Sequence, residues 1–191
     1  MKTGCGELPR ETEVKFRVAD RDALEQRLRR LGAVPGGSAL ERDVLLDDRD
    51  GSLQRRGSAI RIRETAGTAL LTFKGPKEIR AGVRSRVELE TEVGDAGMVA
   101  ALLAELGLQP VFRYEKRRTP WRFGDPARPL VVIDETPIGL FAEIEGDEAA
   151  IRGLASELGV GESEFLPESY AALYLAARGQ DPSLPRDMVF R

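Results

Sequence analysis

Glu11-Thr12-Glu13-Val14-Lys15-Phe16-Arg17-Val18 is the stretch on which the reading of this chain turns. Glu11, Glu13, Lys15 and Arg17 fall at every second position, and Val14, Phe16 and Val18 fill places between them. Side chains of an extended strand alternate faces, so the stretch predicts a strand with one charged and one apolar face. The pattern returns in Ile60-Arg61-Ile62-Arg63, in Leu71-Thr72-Phe73-Lys74, and from Arg84 to Val93. Further on it appears in Val131-Val132-Ile133-Asp134 and in Phe141-Ala142-Glu143-Ile144-Glu145. A face so densely charged is either solvated surface or the lining of a site for a charged ligand.

Three times a strand with paired glutamates is followed by a segment that opens near an Asp and stops at Leu-Gly. These run from Asp20 or Asp22 to Leu31-Gly32, from Asp95 to Leu106-Gly107, and from Asp147 to Leu158-Gly159. Asp is a good N-cap, Gly a good C-terminal stop, and apolar residues three or four apart lie between them, which predicts helices. A last helix is expected over Glu168 to Arg178, with Tyr170, Leu173 and Tyr174 on one face. Asp47 to Gly51 reads as a tight turn between strands. The chain divides into an N-terminal extension (1–10), one internally repetitive domain (11–178), and a tail (179–191) whose Pro182 and Pro185 suggest a loose segment. About eight strands with few helices predict an α+β fold: a closed antiparallel β-barrel with a charged lumen and peripheral helices.

Composition narrows the chemistry. The 191 residues contain no histidine, which excludes Ser-His-Asp, Cys-His and His-metal mechanisms. A net charge of −3 gives no overall attraction to nucleic acid or to an anionic membrane. Cys5 is the lone cysteine, so no intrachain disulfide forms, and no apolar run approaches the roughly 20 residues that span a bilayer. A soluble, cytoplasmic protein is expected.

On the charged faces the basic set is Lys15, Arg17, Arg61, Arg63, Lys74, Arg84, Arg86, Lys116 and Arg118. Arg offers a planar fork and Lys a mobile point charge, so together they suit a chain of phosphate groups. The acidic set is Glu11, Glu13, Glu88, Glu90, Glu92, Asp134, Glu143 and Glu145. Carboxylates gathered from several strands suit a hard divalent cation such as Mg²⁺ or Mn²⁺. The apolar positions of the same strands already provide a face for helices to cover. The charged side is then left to bulk water or to an enclosed wet cavity, where charges need partners or ligands.

Six ordered motifs resemble one known family. They are Glu11-x-Glu13-x-Lys15, Ile60-Arg61-Ile62-Arg63, Thr72-Phe73-Lys74-Gly75-Pro76, Arg86-x-Glu88-x-Glu90, Lys116-Arg117-Arg118, and Asp134 followed by Gly139 to Glu145. Over roughly residues 10 to 178 they are similar to the CYTH superfamily, the triphosphate tunnel metalloenzymes. That family includes class IV adenylate cyclases, thiamine triphosphatases and inorganic tripolyphosphatases. The resemblance implies an eight-stranded antiparallel tunnel holding a triphosphate with divalent metal, Mg²⁺ or Mn²⁺. It makes Lys15, Arg61, Arg63, Lys74, Arg86, Lys116 and Arg118 the phosphate-binding residues. Glu11, Glu13, Glu88, Glu90, Asp134, Glu143 and Glu145 become metal ligands, and Lys15, Glu13 and Lys116 the candidate catalytic residues. Arg17, Arg84 and Glu92 share the strand parity but stay outside this core set.

The motifs look closest to the class IV cyclase branch, which would convert ATP to cyclic AMP and pyrophosphate. Hydrolysis of tripolyphosphate, thiamine triphosphate or a nucleoside triphosphate is the alternative within the family. A non-catalytic polyphosphate-binding module is the alternative of another class, although it would not need so many carboxylates. The expected partner is a small triphosphate compound, with neither nucleic acid nor membrane, and the protein a monomer or homodimer.

Overall fold

A computed structural model describes residues 7–191; Cys5 and most of the N-terminal extension lie outside the described residues. In chain order the elements are β1 (Arg10–Arg17), α1 (Arg21–Arg30), β2 (Val34–Pro35), β3 (Ala39–Asp47), α2 (Ser52–Arg55), β4 (Ala59–Thr65), β5 (Thr68–Lys74) and β6 (Glu78–Arg80). There follow β7 (Val83–Val93), α3 (Ala96–Glu105), β8 (Gln109–Arg122), β9 (Leu130–Thr136), β10 (Gly139–Glu145), α4 (Glu148–Glu157) and α5 (Tyr170–Gln180). Neighbouring strands run β1-β10-β9-β8-β3-β4-β5-β7. The ring closes where β7 pairs antiparallel with β1, Glu13 opposite Arg84 and Glu11 opposite Arg86. This is the expected closed eight-stranded antiparallel barrel; β2 and β6 add short pairings outside the ring.

The apolar face of β1 packs outward. Val14, Phe16, Ile133 and Ile144 join Leu24 and Leu28 of α1 and Ile151, Leu154 and Ala155 of α4 in one core. Each fully buried Leu or Ile there contributes roughly 1.5–3 kcal/mol. Asp20, Asp95 and Asp147 cap the helices α1, α3 and α4, accepting bonds from Ala23, Met98 and Ala149 amides. Gly32, Gly107 and Gly159 follow the helices at φ of +87°, +87° and +71°, a left-handed turn that a Cβ would strain. The three repeats therefore form as predicted, but they pack unequally. Helix α3 has no buried residue, and its Met98 and Leu102 are each 60% exposed. Leu89, on the outward face of β7, is exposed as well.

Two expectations about connections are corrected. Asp47 to Gly51 is not a bare tight turn, because it leads into the one-turn helix α2. The Asp47 carboxylate accepts from the amides of Leu53 and Gln54, and Asp48 accepts from Ser52. The C-terminal segment is not loose. Met188 is fully buried, its amide donates to the Arg113 carbonyl (3.0 Å), and its carbonyl accepts from the Glu115 amide (2.8 Å). Tyr174 donates to the carbonyl of Pro185 at 2.8 Å. Proline bars a helix there but not docking, and Met188 and Leu184 have an apolar surface to fill. No helix of the described residues is long and apolar enough to cross a membrane.

Candidate active site

Strand parity sends the charged side chains into the barrel. Lys15 and Lys116 are each 2% exposed, Asp134 is fully buried, and Glu13, Arg61, Arg63, Arg84 and Glu143 are buried with them. Phe112 and Tyr114 share the parity of Lys116, and Phe141 that of Glu143. They pack with Tyr170 and Tyr174 of α5 and with Met188 in a second apolar cluster. Helix α5 thus fills one end of the lumen, and the charged groups lie between that plug and the other end. There Glu90 is exposed, and Glu11 and Glu145 are each 23% exposed.

Beside the plug, Asp134 collects three donors. Arg118 grips it in a fork (2.8 and 2.6 Å), Lys116 donates at 2.9 Å and the Tyr170 hydroxyl at 2.8 Å. Burial opposes ionisation of Asp134, but the charges of Arg118 and Lys116 outweigh it and hold the carboxyl below its ordinary value. Lys15 pairs with Glu143 at 3.2 Å, and its ammonium lies 4.0 Å over the Tyr170 ring. Burial likewise opposes the Glu143 charge, and Lys15 and Arg118 hold its pKa well down.

A second group surrounds β3 and β4. Asp43 takes the fork of Arg63 (2.8 and 3.2 Å), and Glu41 lies 2.8 Å from Arg63 and 3.4 Å from Lys116. Next along the wall, on β5, β7 and β1, Lys74 lies between Glu88 and Glu11, and Arg86 also reaches Glu11. Burial and the charge of Arg61 pull Lys74 down to about 8. Burial, and a hydrogen bond that protonated Glu88 donates to the Glu11 carboxylate, push Glu88 up.

Glu11, Glu13 and Glu145 offer carboxylate oxygens within 4.8 Å of one another. The buried Oε1 of Glu13 is also in contact with the Arg84 guanidinium. Burial pushes Glu145 up to about 7, with Glu143 and Glu11 adding repulsion against the attraction of Arg118. Three carboxylates crowded this closely, all hard oxygen donors, fit a hard divalent cation. The structure does not bring the other four predicted ligands into this cluster. Asp134 and Glu143 lie deeper in ion pairs, Glu88 bonds to Lys74, and Glu90 bonds to Arg61 and Thr72 nearer the open end. All seven predicted phosphate-binding cations line the lumen.

Sequence reading missed Glu41 and Asp43, because Arg42 between them breaks the alternation with apolar residues; Arg42 points outward and pairs with Glu115. Tyr170 was legible as a helix-face residue, but nothing local shows that its helix enters the barrel end. Arg84 had the right parity but belonged to no motif.

The CYTH domain family model matches residues 9–187, so the chain belongs to the CYTH domain family. A Methanocaldococcus jannaschii protein provisionally named an adenylate cyclase is 26% identical over 135 residues, 71% of this chain and 75% of that protein. A solved structure from Vibrio parahaemolyticus, likewise provisionally named an adenylate cyclase, superposes with a TM-score of 0.75 at 21% identity, covering 88% of this chain and 99% of that one. A structure from Hippeastrum, described as a provisional adenylyl cyclase with a dominant triphosphatase activity, gives 0.66 at 19% identity, covering 87% and 96%.

Proposed function

We propose that this protein is a divalent-metal-dependent enzyme that hydrolyses a triphosphate held in the barrel lumen. The carrying observation is the convergence of seven cationic side chains and a three-carboxylate cluster inside one closed barrel, between a plugged end and an open one. Lys15, Arg61, Arg63, Lys74, Arg86, Lys116 and Arg118 bind and orient phosphate oxygens, exchanging their carboxylate partners for the ligand. Such sites work chiefly by positioning and by neutralising charge. Glu11, Glu13 and Glu145 would hold Mg²⁺ or Mn²⁺, which when bound acts as a Lewis acid on phosphate oxygens. Tyr170 and the Asp134 pairs keep Lys15 and Lys116 in place and exclude water from the inner end.

One observation favours hydrolysis over cyclisation. The aromatic side chains with lumen parity, Phe112, Tyr114 and Phe141, are all packed in the plug, so among the described residues none is left at the open end to stack on an adenine. Cyclisation of ATP is the second reading, supported by the motif likeness and by the name of the M. jannaschii relative. Purified protein is to be incubated with Mg²⁺ or Mn²⁺ and, separately, tripolyphosphate, thiamine triphosphate and ATP. Metal-dependent phosphate release is expected. Cyclic AMP with pyrophosphate would establish the second reading, and metal-independent binding without turnover, untouched by Glu11→Ala, would establish a non-catalytic module.

A further inference from the structure

Arg84 is a buried guanidinium that the lumen does not satisfy. It is 5% exposed, yet its Nε and Nη1 donors have no hydrogen-bond partner among the described residues. Arg63 and Arg118, by contrast, each hold a carboxylate in a two-bond fork. Arg84 faces Glu13 across the β1–β7 seam and pairs with it. Glu13, however, also belongs to the three-carboxylate cluster, so its charge is not dedicated to Arg84. Burial and the charge of Arg86 depress the pKa of Arg84, against the attraction of Glu143 and Glu11, whose own carboxylates are held by Lys15, Arg118, Lys74 and Arg86. Buried donors without partners are costly and call for an explanation, and a cation left in this state suits an incoming anion.

We infer that Arg84 is a further binding residue of the lumen, which uses its free donors to hold a phosphoryl oxygen one row nearer the α5 plug than Arg86. The inference rests on the triphosphate reading above and extends it. Arg84 sits one row past the pairing of Glu11 with Arg86, on the side of the α5 plug, so it meets a phosphoryl group inserted beyond Arg86 and towards Lys15.

The test uses the full chain in wild-type form and as Arg84→Gln. Tripolyphosphate affinity is measured by titration in Mg²⁺ buffer, and the thermal shift by Mn²⁺ alone is measured separately. The expected result is an affinity loss of roughly tenfold to a hundredfold, as for a lost charge-assisted bond, with the Mn²⁺ shift retained. Unchanged affinity in Arg84→Gln would overturn the inference while leaving the triphosphate reading intact. A joint loss of affinity and Mn²⁺ shift would also overturn it, since Arg84 would then act only by placing Glu13. Absence of tripolyphosphate binding by the wild type would sink the underlying reading and the inference together. If Arg84→Gln does not fold, Arg84→Met, which keeps much of the side-chain volume but no charge or donor, is judged by the same outcomes.

Discussion

Replacing Glu145 by Gln should make the metal-free protein more stable above neutral pH and blind to divalent metal. Burial raises the Glu145 pKa from 4.5 to about 7. An unfolded chain releases this proton near pH 4.5, whereas the folded protein retains it until about pH 7. The folded state therefore pays nothing below pH 4.5, loses stability as pH rises through the interval, and carries the full penalty above 7. At about 1.4 kcal/mol per pH unit the penalty is about 3 kcal/mol, an upper bound because the side chain is 23% exposed and water screens part of the charge. Glu145→Gln has no proton to lose. In chelator at pH 8 it should melt roughly 5–10 °C above wild type, with no difference at pH 4. Added Mg²⁺ or Mn²⁺ should raise the wild-type melting temperature as a ligand of the folded state does, and leave the variant nearly unmoved. Equal melting temperatures at pH 8 in chelator, or an undiminished metal shift in the variant, would refute the placement of Glu145 in a crowded carboxylate cluster.

Lys74, drawn down to about 8, is charged at pH 7 and largely neutral at pH 9. Tripolyphosphate affinity should weaken across that interval in wild type and hold steady in Lys74→Arg, as followed by titration at each pH. Asp134→Ala removes the shared acceptor of Lys116, Arg118 and Tyr170 and leaves buried cations undercompensated. It should cost about 3–5 kcal/mol in denaturant unfolding, and a loss under 1 kcal/mol would contradict the described network. Met188→Ala, in the segment docked on β8, should cost about 2–5 kcal/mol, whereas a loose tail would show no change.

Much of the barrel was written locally. Period-two alternation in β1, β4, β7 and β10 marks which side chains share a face, and the Asp-to-Gly frames of α1, α3 and α4 mark helix ends. These signals depend only on backbone geometry and on bonds between residues close in sequence. β3 was harder to read because Arg42 occupies the outward place between Glu41 and Asp43, where an apolar residue was expected. Docking of the C-terminal segment was illegible too, since its two prolines describe what the backbone cannot form and say nothing of the surface that Met188 meets.

The sequence by itself determined the charged and apolar faces, the helix frames, the absence of histidine chemistry and the family. Only the tertiary structure decided which carboxylates meet. Register around the closed ring places Glu11 and Glu13 beside Glu145, while it commits Glu143 and Asp134 to Lys15, Lys116 and Arg118. It also decided that α5 enters one end of the barrel and that Arg84 is left without full partners. Parity is a property of one strand, but proximity across a lumen depends on how eight strands are staggered against one another, and no single strand encodes that stagger.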